Sequence, residues 1–295
     1  MAVSFAADAS TVAPLTFDRT AINSSDVRPL LLRHGLSEHP LFTLERGIAL
    51  AAELPTPWVA TKNSRLPLAF GPALGDDGRS GAAVAAAIAD GHDKVAMHRL
   101  ERCPPYTEIV QRFVDGLAPA VARDEGPVVG WHAAMLLSSP ATAIPVHFDV
   151  THNVLLQCAG TKRLTVGRFA RPVVQQREIG RYFARVHSNP TALPTEDLQS
   201  FLLGPGDGIY IPPYTFHWVE VGDQVAVSLA FGFSTAVTMR AMTVHRFNSV
   251  ARAVGLRPRP PGHSLARDRL KAAAVGRAGT VKRGMRRAAR ATLRR

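Results

Sequence analysis

Two stretches of this sequence carry side chains that could meet at one metal ion. In His147-Phe148-Asp149 an imidazole and a carboxylate stand two residues apart, so that on a β-strand both leave the same face. Alone the tripeptide is a weak signal, because a chain with eleven histidines produces such pairs by chance. The second stretch is Pro205-Gly206-Asp207-Gly208-Ile209-Tyr210-Ile211-Pro212-Pro213-Tyr214-Thr215-Phe216-His217. It reads as a tight turn, a strand, a rigid Pro-Pro bend and then a histidine. In a barrel the two strands lie across from each other, and His217 then supplies a third ligand. Two imidazoles and one carboxylate on one side of an ion leave three positions open, which suits non-haem iron(II) that must bind a cosubstrate and dioxygen. A closed structural zinc site takes four protein ligands.

The elements that must position these residues follow from hydrophobic periodicity. From Val128 onward the sequence consists of short runs of Val, Ile, Leu, Phe and Tyr broken by Gly, Pro and Asp, the all-β signature. The expected strands are Trp131 to Ser138, Ile144 to Asp149, His152 to Cys158, Lys162 to Val166, Ser200 to Leu203, Gly208 to Ile211, Phe216 to Val221 and Gln224 to Phe233, enough for a barrel-like sandwich. Residues 1–30 lack a sustained period and are expected as a loose arm. Residues 31–127 are expected as a helical part packing on the core, with helices at Leu44 to Leu54, Gly81 to Asp90 and Tyr106 to Arg123, the last ended or kinked by Pro119. Lys94 to Leu100 resembles a short strand. The core spans 128–255 and closes with a helix from Val237 to Val254, which Ser234 or Thr235 is placed to cap. Three prolines between Arg257 and Pro261 form a linker to the tail, 256–295.

The net charge of +12 is confined to that tail, where thirteen Lys or Arg face a single acid, Asp268. Residues 1–255 are formally neutral, so bulk positive charge does not determine what the body binds. The tail is a candidate contact for RNA or an acidic surface, or a solubilising extension. Cys103 and Cys158 stand alone, which argues against a disulfide framework and for packed thiols. The longest apolar runs fall short of the roughly 18–20 residues that span a bilayer. The first residues lack the layout of a secretory signal, and a cytoplasmic location is the expectation.

Over about Gly130 to Ser234 the chain resembles the JmjC-type, cupin-like 2-oxoglutarate oxygenases. The family's His-x-Asp falls on His147 and Asp149, and its distal histidine, behind a Pro-Gly-Asp and Ile-Pro-Pro run, on His217. Asparaginyl hydroxylases of the family carry an Asn six residues and a Lys fifteen residues after the first His, both binding 2-oxoglutarate. These offsets land on Asn153 and Lys162. The resemblance implies a mainly β fold with a double-stranded β-helix (jelly-roll or cupin) core, a helical N-terminal part and a closing C-terminal helix. It also implies iron(II) as the metal and 2-oxoglutarate as cosubstrate. Charge agrees: iron(II) with one carboxylate keeps one positive charge, the dianion reverses it, and Lys162 restores neutrality, which a buried site requires.

The chain departs from the family at Ile144, where several relatives carry a threonine that hydrogen-bonds the cosubstrate, and at Ala230 and Gly232, where some carry Asn and Trp. Tyr106, Tyr210, Thr142 and Thr165 are the hydroxyls left to compensate. His152 is a spare candidate ligand on the opposite strand face, and His98, His132 and His187 are read as structural or exposed. Trp131 and Trp218 are read as core or cavity wall. The function implied is a dioxygenase, a hydroxylase of a protein or peptide side chain or of a small molecule. The alternative is a non-catalytic, cupin-like binding or regulatory protein. The closing helix is a candidate contact for a homodimer.

Overall fold

The computed structural model describes residues 15–16, 28–63, 78–184, 189–190 and 192–275. His187 and the last twenty residues of the basic tail lie outside these. Among the described residues, β1 (Leu30–Arg33), β2 (Val59–Asn63), β3 (Asp93–His98), β4 (Val128–Ser138), β5 (Ala143–His147), β6 (His152–Ala159), β7 (Lys162–Arg168), β8 (Glu196–Leu203), β9 (Asp207–Ile211), β10 (Phe216–Val221) and β11 (Ala226–Thr235) form two antiparallel sheets. The larger has the order β1-β9-β6-β11-β4-β3-β2 and the smaller β5-β10-β7-β8. The helices are α1 (Leu44–Glu53), α2 (Gly81–Ala86), α3 (Pro104–Glu125), α4 (Pro172–Phe183) and α5 (Ala236–Ala253). This is the jelly-roll core with N-terminal helices and a C-terminal helix that the sequence implies.

Strand alternation splits the large sheet between two cores. Val95, Met97, Met135, Leu137, Val154, Leu156, Leu229, Phe231 and Phe233 point outward and pack in one cluster with Leu50 of α1, Val84 of α2 and Phe113 and Leu117 of α3. The alternate residues Ala96, Ala134, Leu136, Leu155, Ile209 and Ile211 point inward and meet Leu164, Val166, Leu203 and Val219 of the small sheet. The inward face holds the site, and the outward face holds the helices that stiffen it.

Several elements differ from expectation. The N-terminal part holds more than helices and the expected strand β3, because β1 and β2 also join the large sheet, one at each edge. β1 and β2 are only four and five residues long, too short for a periodic signal. α4 falls within a stretch that reads as a substrate-shaping loop, its Arg and Gln residues masking a helix that opens on Pro172. Pro119 does not end α3, which runs on to Glu125. Pro119 is exposed, so water reaches the carbonyl that the missing N–H leaves unpaired. Thr235 ends β11, and its hydroxyl donates to Glu125 Oε2 at 2.7 Å.

The chain divides into two compact units, 1–170 with 189–235, and 171–188 with 236–295. In the second, α4 meets α5 through a stacked contact of Phe183 with His245, ring centroids 5.1 Å apart. Asn248 of α5 donates to the Arg259 carbonyl at 2.9 Å, and residues 265–275 are helical. No helix among the described residues is long and apolar enough to cross a membrane.

Candidate metal centre

β5 ends at His147 and β10 places His217 directly opposite it in register. Their ring centroids are 4.2 Å apart. Asp149 lies two residues past His147, but β5 has already ended, so strand alternation is not what aims its carboxylate. A turn does that work: after Pro212-Pro213 the backbone of Tyr214 is left-handed, with φ 62°, and its N–H donates to the Asp149 carbonyl at 2.7 Å. Phe148 points away and packs on Phe216, centroids 5.0 Å apart, which anchors the tripeptide from behind. The result is that one ligand atom from each of His147, Asp149 and His217 lies within 4.8 Å of the others.

Hydrogen bonds to backbone carbonyls orient the two rings. His147 Nδ1 lies 2.9 Å from the Pro145 carbonyl and His217 Nδ1 2.9 Å from the Thr215 carbonyl. A carbonyl only accepts, so each Nδ1 acts as a donor, and Nε2 is the nitrogen left to address a metal. Burial, then repulsion from His217, pushes the His147 pKa down to about 3. Burial alone would raise that of Asp149, but the two imidazoles and the Asn153 amide outweigh it and keep the carboxylate ionised. Asn153 Nδ2 donates to Asp149 Oδ2 at 2.5 Å. No fourth His, Cys, Asp or Glu joins the three among the described residues.

The three face a cavity of about 210 Å³, whose wall includes Asn153, Lys162, Ile144 and Ala230. Lys162 is fully buried. Its Nζ donates to Ser228 Oγ at 2.8 Å, and Ser228 donates on to Gln157 Oε1 at 2.8 Å. Burial, then the neighbouring Lys94, lowers the Lys162 pKa to about 7. None of the four hydroxyls proposed to offset Ile144 lines the cavity. Tyr106 donates to the Leu41 carbonyl, Tyr210 pairs with His152, Thr142 donates to the Ser139 carbonyl and Thr165 pairs with Ser200. The residue that sequence reasoning missed is Lys94, on β3 more than fifty positions before His147 and outside any motif. His152 faces the other side, between Tyr210 at 2.7 Å and Glu125 at 3.0 Å.

Residues 129–242 match the family model of the JmjC domain. This stretch is a JmjC domain. A comparison with curated proteins returns no match. Among solved structures, YcfD, a ribosomal oxygenase from Escherichia coli in complex with cobalt and 2-oxoglutarate, is similar at 15% identity and a TM-score of 0.46, covering 84% of this chain and 62% of that one. An oxidoreductase of the 2OG-Fe(II) oxygenase family from Burkholderia pseudomallei is similar at 15% identity and a TM-score of 0.42, covering 74% and 91%. The present chain thus spans less than two thirds of the length of YcfD. At these identities and TM-scores neither likeness says what the JmjC domain here does.

Proposed function

We propose that the chain is an iron(II)- and 2-oxoglutarate-dependent oxygenase that hydroxylates a protein, peptide or small-molecule substrate. The observation that carries this is the half-open donor set: two imidazoles, each with Nδ1 committed to a backbone carbonyl, and one carboxylate, their ligand atoms within 4.8 Å of one another. Such a set fits iron(II) and leaves room for two further ligands. The JmjC domain match supports the same chemistry. When bound, iron(II) and 2-oxoglutarate supply the oxidising power, with dioxygen consumed, the cosubstrate converted to succinate and carbon dioxide, and one oxygen atom placed on a substrate C–H.

The chain's own residues do the rest. His147, Asp149 and His217 hold the metal. Asn153 holds Asp149 in place and lines the cavity where the cosubstrate would lie. Lys162, itself fixed by Ser228, presents an ammonium to the far carboxylate of the dianion. Ile144, Leu155, Leu164, Ile211 and Val219 form an apolar wall that keeps water from the reacting atoms.

The experiment is formation of succinate from 2-oxoglutarate by the purified, iron-loaded protein, across candidate peptides and metabolites. His147→Ala and Asp149→Ala must abolish it. A protein that binds iron and 2-oxoglutarate with no succinate formed under any of these conditions is instead a binding or regulatory protein on the same barrel.

A further inference from the structure

β3 brings two residues to the inner face beside the metal centre. Lys94, Ala96 and His98 alternate inward; Ala96 joins the core between the sheets, while Lys94 and His98 line the cavity. Across the next pairing Lys94 stands directly opposite Lys62 of β2. Like charges facing each other across a strand pair destabilise it. Neither lysine has a hydrogen-bond or ion-pair partner among the described residues. Carboxylates nearby are committed elsewhere: Asp93 pairs with Arg79, Glu101 accepts from the Ala133 amide, and Asp149, the only acid among the described residues that line the cavity, belongs to the ligand set. Lys94 therefore brings an ammonium group to the wall of a partly enclosed space, with Asp149 as its attractive charge and the exposed Lys62 opposite it on β2.

The charge of the loaded centre decides what they are for. Iron(II), Asp149, dianionic 2-oxoglutarate and Lys162 sum to zero, and Lys94 is left over. The two lysines come from different elements: Lys162 is anchored on Ser228 of β11, whereas Lys94 springs from β3, two strands across the sheet. His132, two residues from Ala134, the partner of His98 in register, adds an exposed imidazole to the same wall.

We propose that Lys94, with Lys62 beside it, is the counter-charge for an acidic group of the substrate, so that the cavity accepts a molecule bearing a carboxylate or a phosphate. This rests on the oxygenase reading above. Burial and the Lys62 charge lower the Lys94 pKa to about 8, so the ammonium form still predominates near neutrality. His98 and His132 offer ring nitrogens that the same acidic group can hydrogen-bond.

The test uses full-length protein loaded with Mn(II), which binds without turning over. Calorimetry first measures 2-oxoglutarate on the wild type and on Lys94→Met, Lys94→Arg and Lys162→Met. With 2-oxoglutarate saturating, it then measures N-acetylglutamate, N-acetylphosphoserine and neutral N-acetylglutamine. The expected result is that Lys94→Met keeps 2-oxoglutarate affinity within about twofold, while Lys162→Met loses at least about tenfold. One of the acidic probes should bind the wild type at least about tenfold tighter than the neutral one, lose that preference in Lys94→Met and regain most of it in Lys94→Arg. Which acidic probe prevails tells carboxylate from phosphate. Acidic and neutral probes that bind alike, or not at all, overturn the proposal. So does a Lys94→Met protein that loses 2-oxoglutarate as Lys162→Met does, since Lys94 would then serve the cosubstrate. A wild type that discriminates between the probes but takes up no 2-oxoglutarate sinks the oxygenase reading and leaves the acidic subsite standing.

Discussion

The amide of Asn153 and the imidazole of His217 address the same oxygen of Asp149: Asn153 Nδ2 is 2.5 Å from Oδ2, and His217 Nε2 is 3.8 Å from it. Asn153 therefore selects which carboxylate oxygen is turned toward the imidazoles. Replacing it with Ala should weaken Mn(II) binding by roughly 10- to 100-fold, the range for groups that orient a ligand. Asn153→Asp should be worse, because it sets a second negative charge against the first. Calorimetric Mn(II) titration reads both.

Metal should stabilise the fold only through the three ligands. At a free Mn(II) concentration 100 times Kd, the wild type should gain about 2.7 kcal/mol. His147→Ala, Asp149→Ala and His217→Ala should show no metal-dependent rise in Tm, and a chelator should bring the wild type down to its metal-free value. Differential scanning calorimetry with and without Mn(II) makes the comparison.

Cosubstrate affinity should fall with rising pH. Burial, then Lys94, lowers the Lys162 pKa to about 7 in the empty cavity, so above that value the lysine is largely neutral before binding. The dianion favours the ammonium, and binding must then take up a proton. 2-Oxoglutarate affinity for the Mn(II)-loaded protein should drop up to about tenfold per pH unit above 7. At about pH 8 the binding enthalpy should differ between buffers of different ionisation enthalpy. In Lys162→Met that buffer dependence should shrink.

His152 should prove to be a structural residue. It links Tyr210 on β9 to Glu125 at the end of α3 and stacks on Phe233 at 4.8 Å. Glu125 is held below the usual carboxylate range despite its burial, because His152 and Thr235 both donate to it. Glu125→Ala strands both donors and should cost about 1–3 kcal/mol. Urea unfolding should show the loss, while the protein still binds one metal ion with unchanged affinity.

The sequence announces the metal-ligand motif because its pieces are local. His-x-Asp, Pro-Gly-Asp and Ile-Pro-Pro each encode a strand end or a turn within a few residues, and the β5–β10 pairing follows once a jelly roll is assumed. Lys94 carries no such mark. It reaches the cavity only because β3 pairs with β4, a relation set by the tertiary fold and not by spacing. The same holds for β1 and β2, which are strands by virtue of the edges they extend. α4 hides for a different reason: its polar, arginine-bearing surface weakens the periodic signal that reveals α3. Asp149 is a mixed case, since its meeting with His147 is legible but its cause is the Tyr214 amide, not the pleat.

The bend between Ile211 and Phe216 is responsible for two ligands at once. Its Tyr214 amide tethers the backbone at Asp149, and its Thr215 carbonyl orients the His217 ring. One residue inserted or deleted there would slip β10 by a single position and exchange its two faces, sending the imidazole at 217 to the outside of the barrel. The number of links between Ile211 and His217 is therefore as much a condition for the three donors to meet as the donors themselves.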